Sequence, residues 1–271
     1  RNFIAELKLS EKYGNHKITL VGNHAWSSLA ETFDAEFIER FIWLDCIKFT
    51  RNPLYRIKML LEIRSIGYDV VISPIFSRVF LLADSIMQVV IANEKIGSIG
   101  DLSNISALQK RISDKWFTSL VPAKSGVMFE FDRNNEFFSN ILGLSIPISK
   151  PTLDKRLLPD MSRFPLPDSL AVIFIGASSN KKKWPVARFA EIANHLHERY
   201  KLPIVLCGGP SDLQNLSSFN ESCSAPYIDL IGQTTLVELV AVLTKTAVLV
   251  SNETCVPHFA VTVGVAESFV L

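Results

Sequence analysis

Three short segments in the second half of the chain carry residue types that together suit an anionic ligand. The first, Gly176-Ala-Ser-Ser-Asn-Lys-Lys-Lys-Trp-Pro185, offers small residues, hydroxyls and three cationic heads just ahead of a helix that begins with Pro185 in its first turn. Placed between a strand end and a helix start, such a loop presents backbone N–H groups and ammonium charge to a phosphate. A solvated lysine cluster is the plainer reading. The second, Cys207-Gly-Gly-Pro-Ser-Asp212, can turn sharply at its glycines, and Asp212 can accept hydrogen bonds from ribose hydroxyls. The alternative is that Ser211 or Asp212 caps the next helix. The third, Val250-Ser-Asn-Glu-Thr-Cys-Val-Pro-His258, leads into a helix of small residues that ends near Gly264. Thr254 and the N–H groups of that first turn would face a phosphate, with the helix dipole favouring negative charge. Here too an N-cap role for Thr254 and a satisfied buried imidazole for His258 stand beside the ligand-binding reading.

The elements around these loops follow a βα rhythm. Strands are expected at 170–175, 203–207 and 247–250, and helices at 186–200, 211–217, 236–243 and 256–263. Each candidate loop then lies at the C-terminal end of a strand, where open α/β sheets bind ligands. The first half shows the same rhythm: a helix at 3–13, strand 16–21, helix 27–40, helix 56–66 and strand 68–72. Between the halves, residues 149–168 hold four prolines and no sustained periodicity, which suits an interdomain linker. The expectation is an α/β protein of two domains, 1–152 and 153–271.

Composition narrows the classes. With 48% hydrophobic and 20% charged residues in 271, the chain is folded and not fibrous. Twenty-eight Lys+Arg against 27 Asp+Glu leave +1, too balanced for the basic field that nucleic-acid binding needs. Cys46, Cys207, Cys223 and Cys255 are far apart, so neither a disulfide framework nor a CxxC metal site is indicated, and a reducing cytoplasm fits. No apolar run reaches the length of a membrane span. Lys150, Lys155, Arg156 and Arg163, or Lys48, Arg51, Arg56 and Lys58, offer a steering patch for an anionic acceptor, with ordinary solvated cations as the alternative. The chain opens inside a helix at Arg1 and closes inside an apolar strand at Leu271, so both ends read as cut.

The order strand, GAS(x)nK-x-W-P, helix, strand, GGP-x-D, helix, G-x-T-x-L-x-E-L, strand, S-N-(D/E)-T-x-x-x-H, helix, Gly resembles glycosyltransferase family 9, the ADP-heptose:lipopolysaccharide heptosyltransferase group. The matching residues are Gly176, Lys182, Trp184 and Pro185; Gly208, Pro210 and Asp212; Gly232, Thr234, Leu236, Glu238 and Leu239; and Ser251, Asn252, Thr254 and His258. The first half is similar more loosely, through Arg64, the segment 68–72 and Asn140-Ile-Leu-Gly-Leu144.

The resemblance implies a GT-B-like fold, two Rossmann-like doubly wound domains facing a cleft, with the N-terminal acceptor-side domain incomplete. It implies a bacterial, cytoplasmic enzyme, in transient contact with the inner face of the cytoplasmic membrane, that transfers a heptose or related sugar from a nucleotide-diphosphate donor to a lipopolysaccharide-core or similar glycan. The reaction would invert the anomeric centre without metal or cofactor, the nucleotide-sugar being substrate. Lys182 would neutralise the leaving diphosphate. Gly176, Ser178, Glu253, Thr254 and Cys255 would surround it, Asp212 would contact the ribose and His258 would support the phosphate loop. Glu253 and Cys255 stand where the family has Asp and Gly, and the family's base falls before Arg1, so these 271 residues alone are expected to be weakly active or inactive. Two alternatives remain: a non-catalytic nucleotide-sugar-binding or scaffold protein of this fold, and a sugar-nucleotide epimerase on it.

Overall fold

The structure is a computed structural model that describes residues 2–148, 151–177 and 179–271. It divides into two compact units, Arg1–Ser27 with Asp34–Ser149, and Ser28–Phe33 with Lys150–Leu271, against the expected division at 152/153.

The first unit contains α1 (Asn2–Leu9), β1 (Thr19–Asn23), the start of α2 (Ser27–Phe33), β2 (Arg40–Leu44), α3 (Cys46–Arg51), α4 (Pro53–Ile66) and β3 (Tyr68–Ser73). A π-helical turn, Phe80–Asp84, then runs into α5 (Ser85–Val89), followed by β4 (Ala92–Ser98), α6 (Ala107–Ser113), β5 (Ser119–Val121) and α7 (Glu130–Leu142). All pairings are parallel, in a β1-β2 pair and a β3-β4-β5 sheet. Met59 and Ile63 of α4 pack with Val21, Ile42 and Leu44 of the pair and also with Val71 of β3. Val70 and Ile72 point to the opposite face, as the two-residue period of a strand requires, and meet Phe137 and Phe138 of α7 with Phe3 and Leu7 of α1. Arg78 is fully buried here, held by Asp114 and lying 3.7 Å from Asp84, while Lys110 pairs with Asp114 at 2.9 Å. That polar network was not foreseen from the sequence.

The expected helix at 27–40 is corrected by the structure. The helix stops at Phe33, residues 34–39 turn, and Arg40, the last residue expected in the helix, instead opens the strand Arg40–Leu44 that pairs with β1.

The second unit is the more regular. It holds β6 (Leu170–Phe174), α8 (Val186–Tyr200), β7 (Ile204–Cys207), α9 (Leu216–Ser222), β8 (Tyr227–Asp229), α10 (Leu236–Leu243), β9 (Thr246–Ser251), α11 (Val256–Val263) and β10 (Glu267–Val270). The sheet is parallel throughout, in the order β10-β9-β6-β7-β8. Alternate residues feed two cores. Leu170, Val172, Val205 and Cys207 pack toward α10 and α11, and Ala171, Ile173, Ile204 and Leu206 toward α8 and α9. A parallel sheet covered on both faces reads as continuous apolar strands, which is what these segments are. Burial also pushes the Cys207 thiol up to about 12, which leaves it an inert core residue.

The proline-rich stretch does not hang free. Leu153, Leu158, Met161, Phe164 and Leu166 strap one core of the second unit, and Arg163 reaches Glu238 at 2.5 Å. Arg156 is taken up by Asp154 at 2.7 Å.

Candidate functional site

The strand order reverses around β6: the chain builds β7 and β8 on one side, then returns to lay β9 and β10 on the other. The C-terminal ends of β6 and β9 therefore lie side by side, and the crevice outside such a switch point is where open parallel sheets hold ligands. This brings the first and third candidate loops together. The second, after β7, adjoins the first on its other side.

Two buried side chains fasten the three loops. Asn252, 0% exposed, follows β9; its Oδ1 accepts the Trp184 backbone N–H at 2.8 Å, and its Nδ2 donates to the carbonyls of Ile175 at 2.9 Å and Gly176 at 3.3 Å. Trp184 is fixed in turn by edge-on packing against Phe189 of α8, centroids 5.2 Å apart. Asp212, 3% exposed, does the same for the second loop: Oδ2 accepts Gly209 N–H at 3.0 Å and Oδ1 accepts from Lys183 at 2.9 Å.

Both Asp212 carboxylate oxygens are engaged inside the chain, and the residue serves the capping alternative at the 3-10 turn Pro210–Asn215. Gly176 explains why it fits, because a Cβ there would stand 2.8 Å from Asp212 Oδ2 and 2.8 Å from the Phe174 ring.

Lys182 closes a short 3-10 turn, Asn180–Lys182, and its ammonium lies 3.0 Å from Glu253 Oε2; both side chains are exposed. Glu253 follows Asn252 directly, so the ion pair sets a cation against the segment that starts α11. Thr254 Oγ1 accepts the Val256 N–H at 3.1 Å, but the N-cap of α11 is Cys255, which makes no side-chain cap bond, and Pro257 sits in the first turn. Cys255 and His258 are exposed at the start of α11. His258 is therefore not the buried imidazole of the plainer reading. Cys255 carries a thiol that desolvation by its neighbours pushes above its ordinary value. Gly176 is buried at the loop's root. Ser178 lies outside the described residues.

Asn252 and Lys183 are the residues that sequence reasoning passed over as site members. Nothing distinguishes Lys183 from its two lysine neighbours until Asp212 is placed. Asn252 carried a signal, its position directly after a strand in the S-N-(D/E)-T element. Glu238 of the same motif series forms a capping box with Thr235, whose N–H meets Glu238 Oε2 at 2.8 Å.

Concavity does not choose the site. A hollow of about 250 Å³ lined by His197, Lys201, Pro203 and Tyr227 sits at the opposite edge of the sheet, by the first residues of β7 and β8. Its lining gathers no comparable set of loops. Among the described residues no three His, Cys, Asp or Glu side chains group as metal ligands, and no helix is long and apolar enough to cross a membrane.

A family profile described as glycosyltransferase family 9 (heptosyltransferase) matches residues 90–266. Among solved structures, E. coli heptosyltransferase WaaC with ADP-2-deoxy-2-fluoro heptose aligns with a TM-score of 0.73 and 14% identity, over 100% of this chain and 88% of that one. A glycosyl transferase family 9 protein from Veillonella parvula gives 0.74 and 19%, over 100% and 83%. E. coli ADP-heptose lps heptosyltransferase II gives 0.67 and 14%, over 98% and 78%. A search of curated protein sequences finds no match. These likenesses establish the fold as that of the GT-B heptosyltransferases.

Proposed function

Because the chain belongs to glycosyltransferase family 9, we propose that it transfers a heptose or related sugar from an ADP-heptose-like donor to a lipopolysaccharide-core or similar glycan, with inversion and without a metal ion. The observation that carries the reading is the Lys182–Glu253 pair at the β6–β9 switch point. A carboxylate from the loop ahead of α11 already holds the lysine, at the place where the donor diphosphate would lie.

In this reaction an acceptor hydroxyl gives up its proton to a general base and attacks the anomeric carbon, the bond from that carbon to the diphosphate oxygen breaks, and the nucleoside diphosphate leaves with the electron pair. Charge grows on the leaving oxygens as the bond opens. Lys182 and the N–H groups of the α11 turn stabilise that charge, and because Asn252 and Asp212 have fixed the loops beforehand, little reorganisation accompanies the step. Gly176, Thr254 and Cys255 form the floor of the donor site. The protein acts in the cytoplasm, where nucleotide-sugars are available.

The same ion pair also favours a second reading, a nucleotide-sugar-binding protein without transfer, since it occupies the cation that catalysis needs. Thermal-shift titration with ADP, UDP, GDP and their sugars, on the parent and on Lys182→Ala, tests the site. Stabilisation by ADP that falls at least tenfold in apparent affinity in Lys182→Ala is expected. Undiminished binding in the variant overturns the phosphate role. Donor binding with neither transfer nor donor hydrolysis selects the second reading.

A further inference from the structure

The three loops turn a single carboxylate outward. Residues 176–185, 207–212 and 250–258 hold two acids, Asp212 and Glu253. Asp212 is buried, with both oxygens taken by Gly209 and Lys183. The Glu253 side chain is 68% exposed; its Oε2 meets Lys182 at 3.0 Å, and its Oε1 has no partner among the described residues. Lys182 is itself 44% exposed. The cation assigned to the leaving diphosphate and a carboxylate with a free oxygen therefore stand together, open to water.

That openness has a chemical consequence. Active sites that close over a donor exclude water and so suppress its hydrolysis. A phosphate held by Lys182 lies about 2.8 Å from the ammonium nitrogen, with the carbon that bears the leaving oxygen just beyond it. Glu253, beside the same nitrogen, is then one water away from that carbon, which is within the reach of a general base. An incoming diphosphate also takes the ammonium and leaves both Glu253 oxygens free to accept from water. His258 is exposed too, one turn into α11, but the partner of Lys182 among the described residues is Glu253.

We infer that the chain hydrolyses nucleotide-diphosphate sugars, with Glu253 as the base for water. The inference rests on the donor-site reading and adds an activity to it. Water gives its proton to Glu253 while its oxygen adds to the anomeric carbon, on the side where Glu253 stands. The bond from that carbon to the diphosphate oxygen breaks, and the nucleoside diphosphate leaves with the electron pair, its charge held by Lys182 and the α11 N–H groups. Glu253 then passes the proton to solvent, so the products are free sugar, nucleoside diphosphate and one proton. The step needs no glycan acceptor and no base from outside the three loops.

Incubation of the full 271-residue chain with ADP-heptose, without acceptor and in water enriched in heavy oxygen, tests it. ADP release is followed by chromatography, the oxygen isotopes of the ADP by mass spectrometry, and ADP binding by calorimetry. Repeated turnover is expected, with no heavy oxygen in the ADP, because water attacks carbon. Glu253→Gln and Glu253→Ala should each lower kcat at least about 100-fold while binding ADP no more weakly than the parent. Both should melt with the parent, since the side chain is exposed, and if one misfolds the other decides. Lys182→Ala, purified in parallel, should lose hydrolysis and ADP binding together; release that survives it is a contaminant and counts as none. ADP binding without release overturns the inference and leaves the donor site standing. Hydrolysis undiminished in the Glu253 variants overturns it, whichever group supplies the base, His258 included. So does heavy oxygen in the ADP, which marks attack on phosphorus. A parent that binds neither ADP nor ADP-heptose overturns the donor-site reading, and the inference with it.

Discussion

Asn252→Ala should show whether the three loops are one assembly. The carboxamide is buried and answers the Trp184 N–H and the Ile175 carbonyl with good geometry, and the Gly176 carbonyl at a longer 3.3 Å. Alanine leaves a backbone donor and a backbone acceptor facing an empty space that water does not readily fill. An unsatisfied buried group costs about 1–3 kcal/mol, so the two strong bonds together set a loss of roughly 2–6 kcal/mol. Asn252→Asp should be worse: it keeps the Trp184 bond but turns the amide donor into an anion pressed against two carbonyl oxygens. Urea denaturation followed by circular dichroism should therefore rank the parent first, alanine second and aspartate last. Because Lys182 lies two residues before Trp184, a loosened loop should also weaken ADP binding by about three- to tenfold, the fraction of time the lysine is misplaced. If alanine costs under about 0.5 kcal/mol, or aspartate is as stable as the parent, the amide is not the fastening described. If stability falls while ADP affinity stays unchanged, the fastening is real but the loop it holds is not the donor site.

Three further outcomes follow from the same geometry. Glu253→Gln removes an exposed ion pair, so stability should move by under about 0.5 kcal/mol, while ADP affinity should rise up to about fivefold as Lys182 is released; a fall in affinity on calorimetric titration would instead make Glu253 a donor ligand. Asp212→Ala breaks a near-buried pair with Lys183 and frees the Gly209 N–H, at a cost of about 3–5 kcal/mol; a stable variant whose only defect is poorer discrimination of ribose from deoxyribose nucleotides would instead support the ribose contact. For Glu238, burial pushes the carboxyl up, but the hydrogen bonds from Thr235 and the Arg163 charge outweigh it and hold its pKa below the ordinary 4.5. Its contribution is therefore present above about pH 4.5 and is lost as pH falls through the folded value, so Glu238→Gln should flatten the stability-against-pH curve below pH 4.5 and leave its shape above unchanged.

Much of the second unit was legible because its strands are buried on both faces and spell continuous apolar runs, and because Gly and Pro mark each loop. The first unit was harder to read. Arg40–Leu44, Ala92–Ser98 and Ser119–Val121 owe their strand state to a parallel partner far away in sequence, and a short strand of mixed polarity leaves little local trace. The expected helix at 211–217 was displaced for a related reason: Pro210 starts a tight 3-10 turn that Asp212 caps, and the α-helix begins only at Leu216. Of the site, the residue types and the loops were visible. Which polar group faced outward was not, since Asp212 and Glu253 look alike in a string and differ only in what packs around them.

That difference changes what the glycines mean. From sequence, Gly208 and its neighbours promise a backbone that a ligand can approach. In the structure, a Cβ at Gly176 would meet Asp212 Oδ2 at 2.8 Å, and one at Gly208 would meet Asp212 Cβ at 3.1 Å, so both glycines make room for the protein's own carboxylate. Asp212 ties the second loop to the first through Lys183, and Asn252 ties the third to the first through Trp184. The first loop is thus the hub, and its fixed Lys183 and Trp184 directly follow Lys182, whose exposed ammonium sits beside Glu253. A site of this kind keeps its charge in place by hydrogen bonds that ligand never touches. Substitutions behind the loops should then alter donor binding through Lys182's position, and substitutions on the outer face through its charge, so that Lys182→Arg is tolerated better in the parent than in Asn252→Ala, where the anchor that aims the longer guanidinium is gone.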